Sequence, residues 1–119
     1  MNQHHWDEYT RKEREKTVRK ALKNSDVETL ISLTIHNLLL FGRGGALTST
    51  HTCRSYKTGV KKYLEYALPL GWKRMLEYDT DLTIGYIRRL EREGVKAGTI
   101  NSRRSSARAL YRALRWAGV

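Results

Sequence analysis

The chain has 119 residues and a formal net charge of +11, with 23 Lys and Arg against 12 Asp and Glu, and a single cysteine, Cys53. That length holds one domain around one core, a lone cysteine excludes a disulfide framework, and no apolar run approaches the ~20 residues of a membrane span. The N-terminus is charged and lacks the apolar stretch of a signal peptide, so a cytoplasmic protein with no membrane partner is expected.

Residues 1–24 carry seven basic and four acidic side chains and few apolar ones beyond Trp6, Tyr9, Val18 and Leu22. They read as a basic N-terminal extension, a frayed helix over about 7–23 or an arm, adding little to the core. The remainder, 25–119, reads as the domain proper. Ser25-Asp26-Val27-Glu28 has the pattern of a capping box, with Ser25 as N-cap. A helix is predicted over 26–41, with Val27, Leu30, Ile31, Leu38 and Phe41 among its apolar residues and Gly42 to Gly45 ending it. Thr48-Ser49-Thr50 opens the next, to about residue 68, stopped by Pro69 and Gly71, with Trp72 packing the following loop onto the body. A third starts near Thr80, capped by Asp79, Thr80 or Asp81, and ends at Gly94. The fourth spans about 98–116 and ends at Gly118. Strand-like alternation is absent, so the fold class is all-α. The chain stops with its last helix, where a domain cut from a longer protein would stop.

Charge is polarised along these elements. From Gly94 onward there is no acid, yet Lys96, Arg103, Arg104, Arg108, Arg112 and Arg115 are present. A one-signed helix is costly by self-repulsion, and a polyanion lying against it is the usual reason to keep it. At about 100° per residue the 50–68 helix turns Cys53, Tyr56, Val60, Tyr63, Leu64 and Ala67 inward and Arg54, Ser55, Thr58, Lys61 and Lys62 outward. The last helix has Ile100, Ala107, Leu110, Tyr111 and Leu114 as its core stripe, while Asn101, Ser102, Ser105, Arg108 and Arg112 look elsewhere. Cations suit phosphates, and small polar side chains suit base edges. By contrast, Asp79, Asp81, Glu91 and Glu93 interleave with Arg88, Arg89 and Arg92 on the third helix. That is an ordinary solvated surface, expected to face away from the polyanion.

The order of residues carries a further signal. Thr52-x-x-x-Tyr56 with Val60, Tyr63 and Tyr66 comes first, then Ile84-Gly85-Tyr86-Ile87-x-x-Leu90-x-x-x-Gly94. Thr99-Ile100-Asn101-x-Arg103, Ala109-Leu110-Tyr111-Arg112-x-Leu114 and Gly118 follow. Over about residues 26–119 this resembles the core-binding domain of tyrosine recombinases, the SAM-like domain of phage integrases. The resemblance implies a four- to five-helix orthogonal bundle that clamps double-stranded DNA. It implies a separate C-terminal catalytic domain, outside this sequence, as a partner. Further recombinase protomers on the DNA would be others. It also implies a bacterial or phage origin, no cofactor and no catalysis by this domain alone.

Carried over by position, the DNA-facing residues are Arg54, Ser55, Thr58 and Lys61 on one helix and Thr99, Ser102, Arg103 and Ser106 on the other. Lys62, Lys96 and Asn101 join them by charge and outward position. Arg104 stands where the family usually has leucine and Ala107 replaces another large aliphatic, so a thinner core is expected there.

Other constellations fail. His51-x-x-Arg54 matches a catalytic tetrapeptide of the same family but opens a DNA-binding helix with no second arginine box beside it. His51, Cys53 and His36 lack the paired spacings of a zinc site. Gly42-Arg43-Gly44-Gly45 lacks the Gly-Lys-Ser/Thr of a phosphate-cradling loop and reads as a connector, with Arg43 available to a backbone phosphate. Tyr56, Tyr63, Tyr111 and Trp116 read as core or rim rather than base-stacking platforms. Two other functions fit the charge, a stand-alone DNA-binding regulator and a protein-interaction module for an acidic partner. Salt-dependent duplex binding separates the second of these from the recombinase reading, and footprint symmetry the first.

Overall fold

The computed structural model describes residues 4–41, 50–77 and 81–119. A 3-10 turn, Trp6–Glu8, leads to α1 (Arg11–Lys23), α2 (Val27–Phe41) and α3 (Thr50–Ala67). After a Leu68–Leu70 turn come the one-turn α4 (Trp72–Met75), α5 (Asp81–Arg92) and α6 (Ala97–Trp116). There is no strand among the described residues, and five helices have three turns or more, so the all-α expectation holds. The glycine run 42–45, Thr48, Ser49, Asp79 and Thr80 lie outside the described residues, as does the His51 side chain.

Three helices end in the same way. After α5 and α6 the chain turns left-handed at Gly94 and Gly118, with Val95 N–H bonding Leu90 C=O and Val119 N–H bonding Leu114 C=O, both at 3.1 Å. Those 6→1 bonds satisfy carbonyls that a helix end leaves orphaned. After α1 the left-handed residue is Ser25 (φ 53°), with Asp26 N–H on Ala21 C=O at 2.8 Å. Ser25 therefore closes α1 and is not the N-cap of α2. That cap is Asp26, whose carboxylate accepts from Thr29 N–H at 3.2 Å and from the Thr29 hydroxyl at 2.6 Å.

The N-terminal segment is part of the core, against the expectation of a frayed addition. Trp6 is 1% exposed and joins Val18, Ala21 and Leu22 in the central cluster. Its indole N–H donates to Ser32 Oγ on α2 at 3.0 Å. His4 adds a second tie to α2. The Thr29 hydroxyl donates to Asp26, His4 Nε2 lies 3.2 Å from that same hydroxyl oxygen, and His4 Nδ1 shares a 2.8 Å hydrogen bond with Tyr9 OH. Thr10 caps α1 by accepting from Glu13 N–H at 3.1 Å.

The last helix, α6, packs against α2, α3 and α5. Its inner side, Ile100, Ala107, Leu110, Ala113 and Leu114, meets Leu30 and Leu33 of α2 and Val60, Tyr63 and Leu64 of α3 in one cluster. The inward face expected for α3 is confirmed at Val60, Tyr63, Leu64 and Ala67, with Cys53 and Tyr56 half-buried at its start. Where α3 crosses α6, a Cβ on Gly59 would overlap Ser106 Oγ and stand 2.6 Å from Ser106 Cβ. Glycine is what lets the two backbones approach. Two differences concern aromatics. Phe41, named among the apolar residues of its helix, is 62% exposed and lies edge-on to Trp116, with ring centroids 6.1 Å apart. Trp72 opens α4 instead of a plain loop and packs, partly buried, on the core.

Candidate nucleic-acid interface

α3 presents Arg54, Ser55, Thr58, Lys61 and Lys62 exposed, as their helical spacing requires once Val60, Tyr63 and Leu64 turn inward. Lys57, not singled out from sequence, is exposed among them. Its i+3 spacing from Arg54 and i+4 spacing to Lys61 was the available signal. The cationic stretch ends at Glu65, an exposed carboxylate on the last turns. On α6, Lys96, Thr99, Asn101 and Ser102 are exposed as well. Lys96 occupies the N-cap position without a side-chain cap. The first amides of α6 thus face solvent at the positive end of the helix dipole.

The two helices bring some of these residues together and hold others apart. Ser55, Asn101 and Ser102 share a cleft of about 230 Å³ with Tyr56, Ser105 and Ser106. Ser105, one turn beyond Asn101 and turned outward by the same spacing, joins them there. Lys61 and Thr58 instead border a groove between α2 and α3, beside Lys57, Ile31, Ile35 and Leu39. Arg103 is half-buried. A Cβ on Gly59 would lie 3.9 Å from its Nη1, and its charge acts on the Tyr86 phenol, so it stands at the junction of α3, α5 and α6.

Ser106 is a correction. Placed among the DNA-facing residues from sequence, it is 2% exposed, its hydroxyl donating to Ser102 C=O at 3.0 Å. It fills the space that Gly59 vacates and forms the floor of the cleft.

Behind the interface the tyrosines form a wall. Tyr63 meets Tyr86 edge-on (centroids 5.1 Å) and shares a 2.7 Å hydroxyl contact with Tyr111. Burial, above all, raises the Tyr86 phenol above its ordinary range, against the lowering pull of Arg103. Its oxygen is buried with no hydrogen-bond partner among the described residues. Tyr63 and Tyr86 are therefore structural, not stacking surfaces. Trp116 is half-buried, with the Arg14 guanidinium 3.9 Å above its ring.

Among the described residues no group of three or more His, Cys, Asp or Glu side chains is placed to hold a metal ion, and no helix is long and apolar enough to cross a membrane. His36 faces Trp116 and stands 3.7 Å from an Asp7 oxygen. The exposed set thus joins cations on α3 to short hydroxyl and amide side chains in the cleft beside it.

The family model for the phage integrase N-terminal SAM-like domain matches residues 46–118, more than half of the chain. Comparison with curated proteins and with solved structures returned no match.

Proposed function

The chain belongs to the phage integrase N-terminal SAM-like domain family, and from that premise we propose that it holds duplex DNA for a tyrosine recombinase, with the exposed face of α3 and the cleft side of the N-terminal half of α6 against the duplex. The family domain is the non-catalytic part of integrases. The observation that carries the reading is the pairing of an exposed cationic face, Arg54 to Lys62, with the small polar cleft of Ser55, Asn101, Ser102 and Ser105 on the α6 side. Arg54, Lys61, Lys62 and Lys96 neutralise phosphates and supply most of the affinity. Ser55, Thr58, Asn101 and Ser102 add limited base selectivity. The open N-terminus of α6, with Thr99 exposed on its first turn, is a natural seat for one more phosphate. A catalytic domain and further protomers complete the recombining assembly.

Fluorescence anisotropy with an arbitrary duplex tests this. Binding at low salt should weaken ~10-fold or more as salt rises to moderate levels, because each neutralised phosphate releases counterions. No binding even at low salt would sink the proposal.

A further inference from the structure

A second groove lies on the other side of α6, between it and α5. It has a volume of about 900 Å³. Its floor is apolar: Ile87 is buried, Tyr111 half-buried, and Ile84 is 49% exposed with its side of α5 turned to the opening. Its walls are cationic, with Arg88 from α5 and Arg104, Arg108 and Arg112 from α6, all exposed. Arg88, Arg108 and Arg112 form no ion pair with a carboxylate among the described residues, and Arg104 donates only to Asn101 at 3.3 Å. Glu91 is the sole carboxylate in the lining.

We propose that this groove docks an acidic amphipathic helix of a partner protein, its apolar stripe on Ile84, Ile87 and Tyr111 and its carboxylates against the arginine walls. The isoleucines of the floor offer a phosphate backbone no donor and the Tyr111 hydroxyl is engaged with that of Tyr63, whereas the apolar floor suits leucine-like anchors at helical spacing. Arginine grips carboxylate and phosphate alike in a two-pronged fashion, so the walls call for an anionic occupant and the apolar floor decides for a helix that carries carboxylates. A second copy of this chain is disfavoured because each carries +11. The stripe Arg104, Arg108, Arg112 and Arg115 spans twelve residues, and its eleven steps at about 1.5 Å each make roughly 16 Å, the length of about three turns of a docked helix. This site is separate from the α3 face, so it stands or falls independently of DNA binding.

The test is a titration of the full chain, followed by amide and isoleucine-methyl NMR shifts, with three probes. The first is an 18-residue helical peptide of Glu, Ala and Leu with leucines at i, i+4, i+7 and i+11. The second has the same composition scrambled so that no apolar stripe forms, and the third is a 20-base-pair duplex. The first peptide should shift Ile84, Ile87 and Tyr111 and bind at least 10-fold more tightly than the scramble. Ile84→Glu, at a half-exposed position that leaves the core intact, should weaken it at least 10-fold, and Arg108→Glu similarly. Arg54→Glu with Lys61→Glu should change it less than 2-fold. Shifts centred on α3, equal binding of the scramble, or occupation of the groove by the duplex would each overturn the proposal.

Discussion

Tyr86 shows how little a buried polar atom reveals of itself in a sequence. Its position on the inner face of α5 follows from spacing with Leu82 and Ile87, but its unpartnered hydroxyl does not. Burial holds the phenol protonated in the folded state, so its raised pKa contributes stability that is fully present below the unfolded phenol's value and is lost as pH climbs through about 10 and beyond. Tyr86→Phe removes both the unpartnered oxygen and the titration. Urea unfolding at neutral pH should therefore stay within ~1 kcal/mol of the parent chain. Comparison of the two chains between neutral pH and about pH 11 should show a smaller alkaline loss in the variant. An equal loss would mean that this hydroxyl is solvated. Ser25 is the second such case. The Ser-x-x-Glu spacing suggested a cap, yet the left-handed turn that closes α1 claimed the residue first and passed the capping role to Asp26.

At the scale of elements, the crossing of α3 and α6 rests on one missing side chain. Gly59→Ala places a methyl group into Ser106 and should cost about 1–3 kcal/mol by urea denaturation, as overpacking does. Adding Ser106→Gly should recover part of that loss, giving a coupling of ~0.5–3 kcal/mol in the double-mutant cycle. Strict additivity would mean that the helices part without strain. The same two helices carry the functional test. Reversing charge at Arg54 and Lys61 together should weaken duplex binding ~10-fold or more at low salt with helical circular dichroism unchanged, since both project away from the core. Reversal at Arg92, on the mixed-charge α5, should change binding less than ~3-fold, and a comparable loss there would mean that the duplex lies elsewhere.

Most of these faces were legible because α3 and α6 carry apolar residues at the helical period, even though Arg103 and Ser106 interrupt the stripe of α6. Ser106 was misplaced for a reason outside its own helix: what buries it is the absence of a side chain on Gly59, 47 positions earlier.

For the molecule as a whole, the N-terminal segment was least legible. Its apolar residues are sparse, and the most important, Trp6, precedes the helix. What buries it is a long-range contact with Ser32 that no local pattern announces. Once folded, the two ends of the chain meet: Arg14 stacks on Trp116, and a Cβ on Gly118 would stand 3.7 Å from Glu15. The basic composition of residues 11–23, which suggested a solvated arm, describes only their outer face, since Val18, Ala21 and Leu22 are inside.

The helix that packs on α2, α3 and α5 is also the last of the described helices in chain order. During synthesis Leu30, Leu33, Val60, Tyr63 and Leu64 are all made before Leu110, Ala113 and Leu114, which cover them in the folded chain. The domain therefore matures in one late step, after about residue 114 is free, and until then it is a set of amphipathic helices open to chaperones and to one another. A chain ending at residue 96 should retain some helical signal but show no cooperative thermal transition by circular dichroism. A sharp transition in that fragment would mean that the earlier helices close a core by themselves.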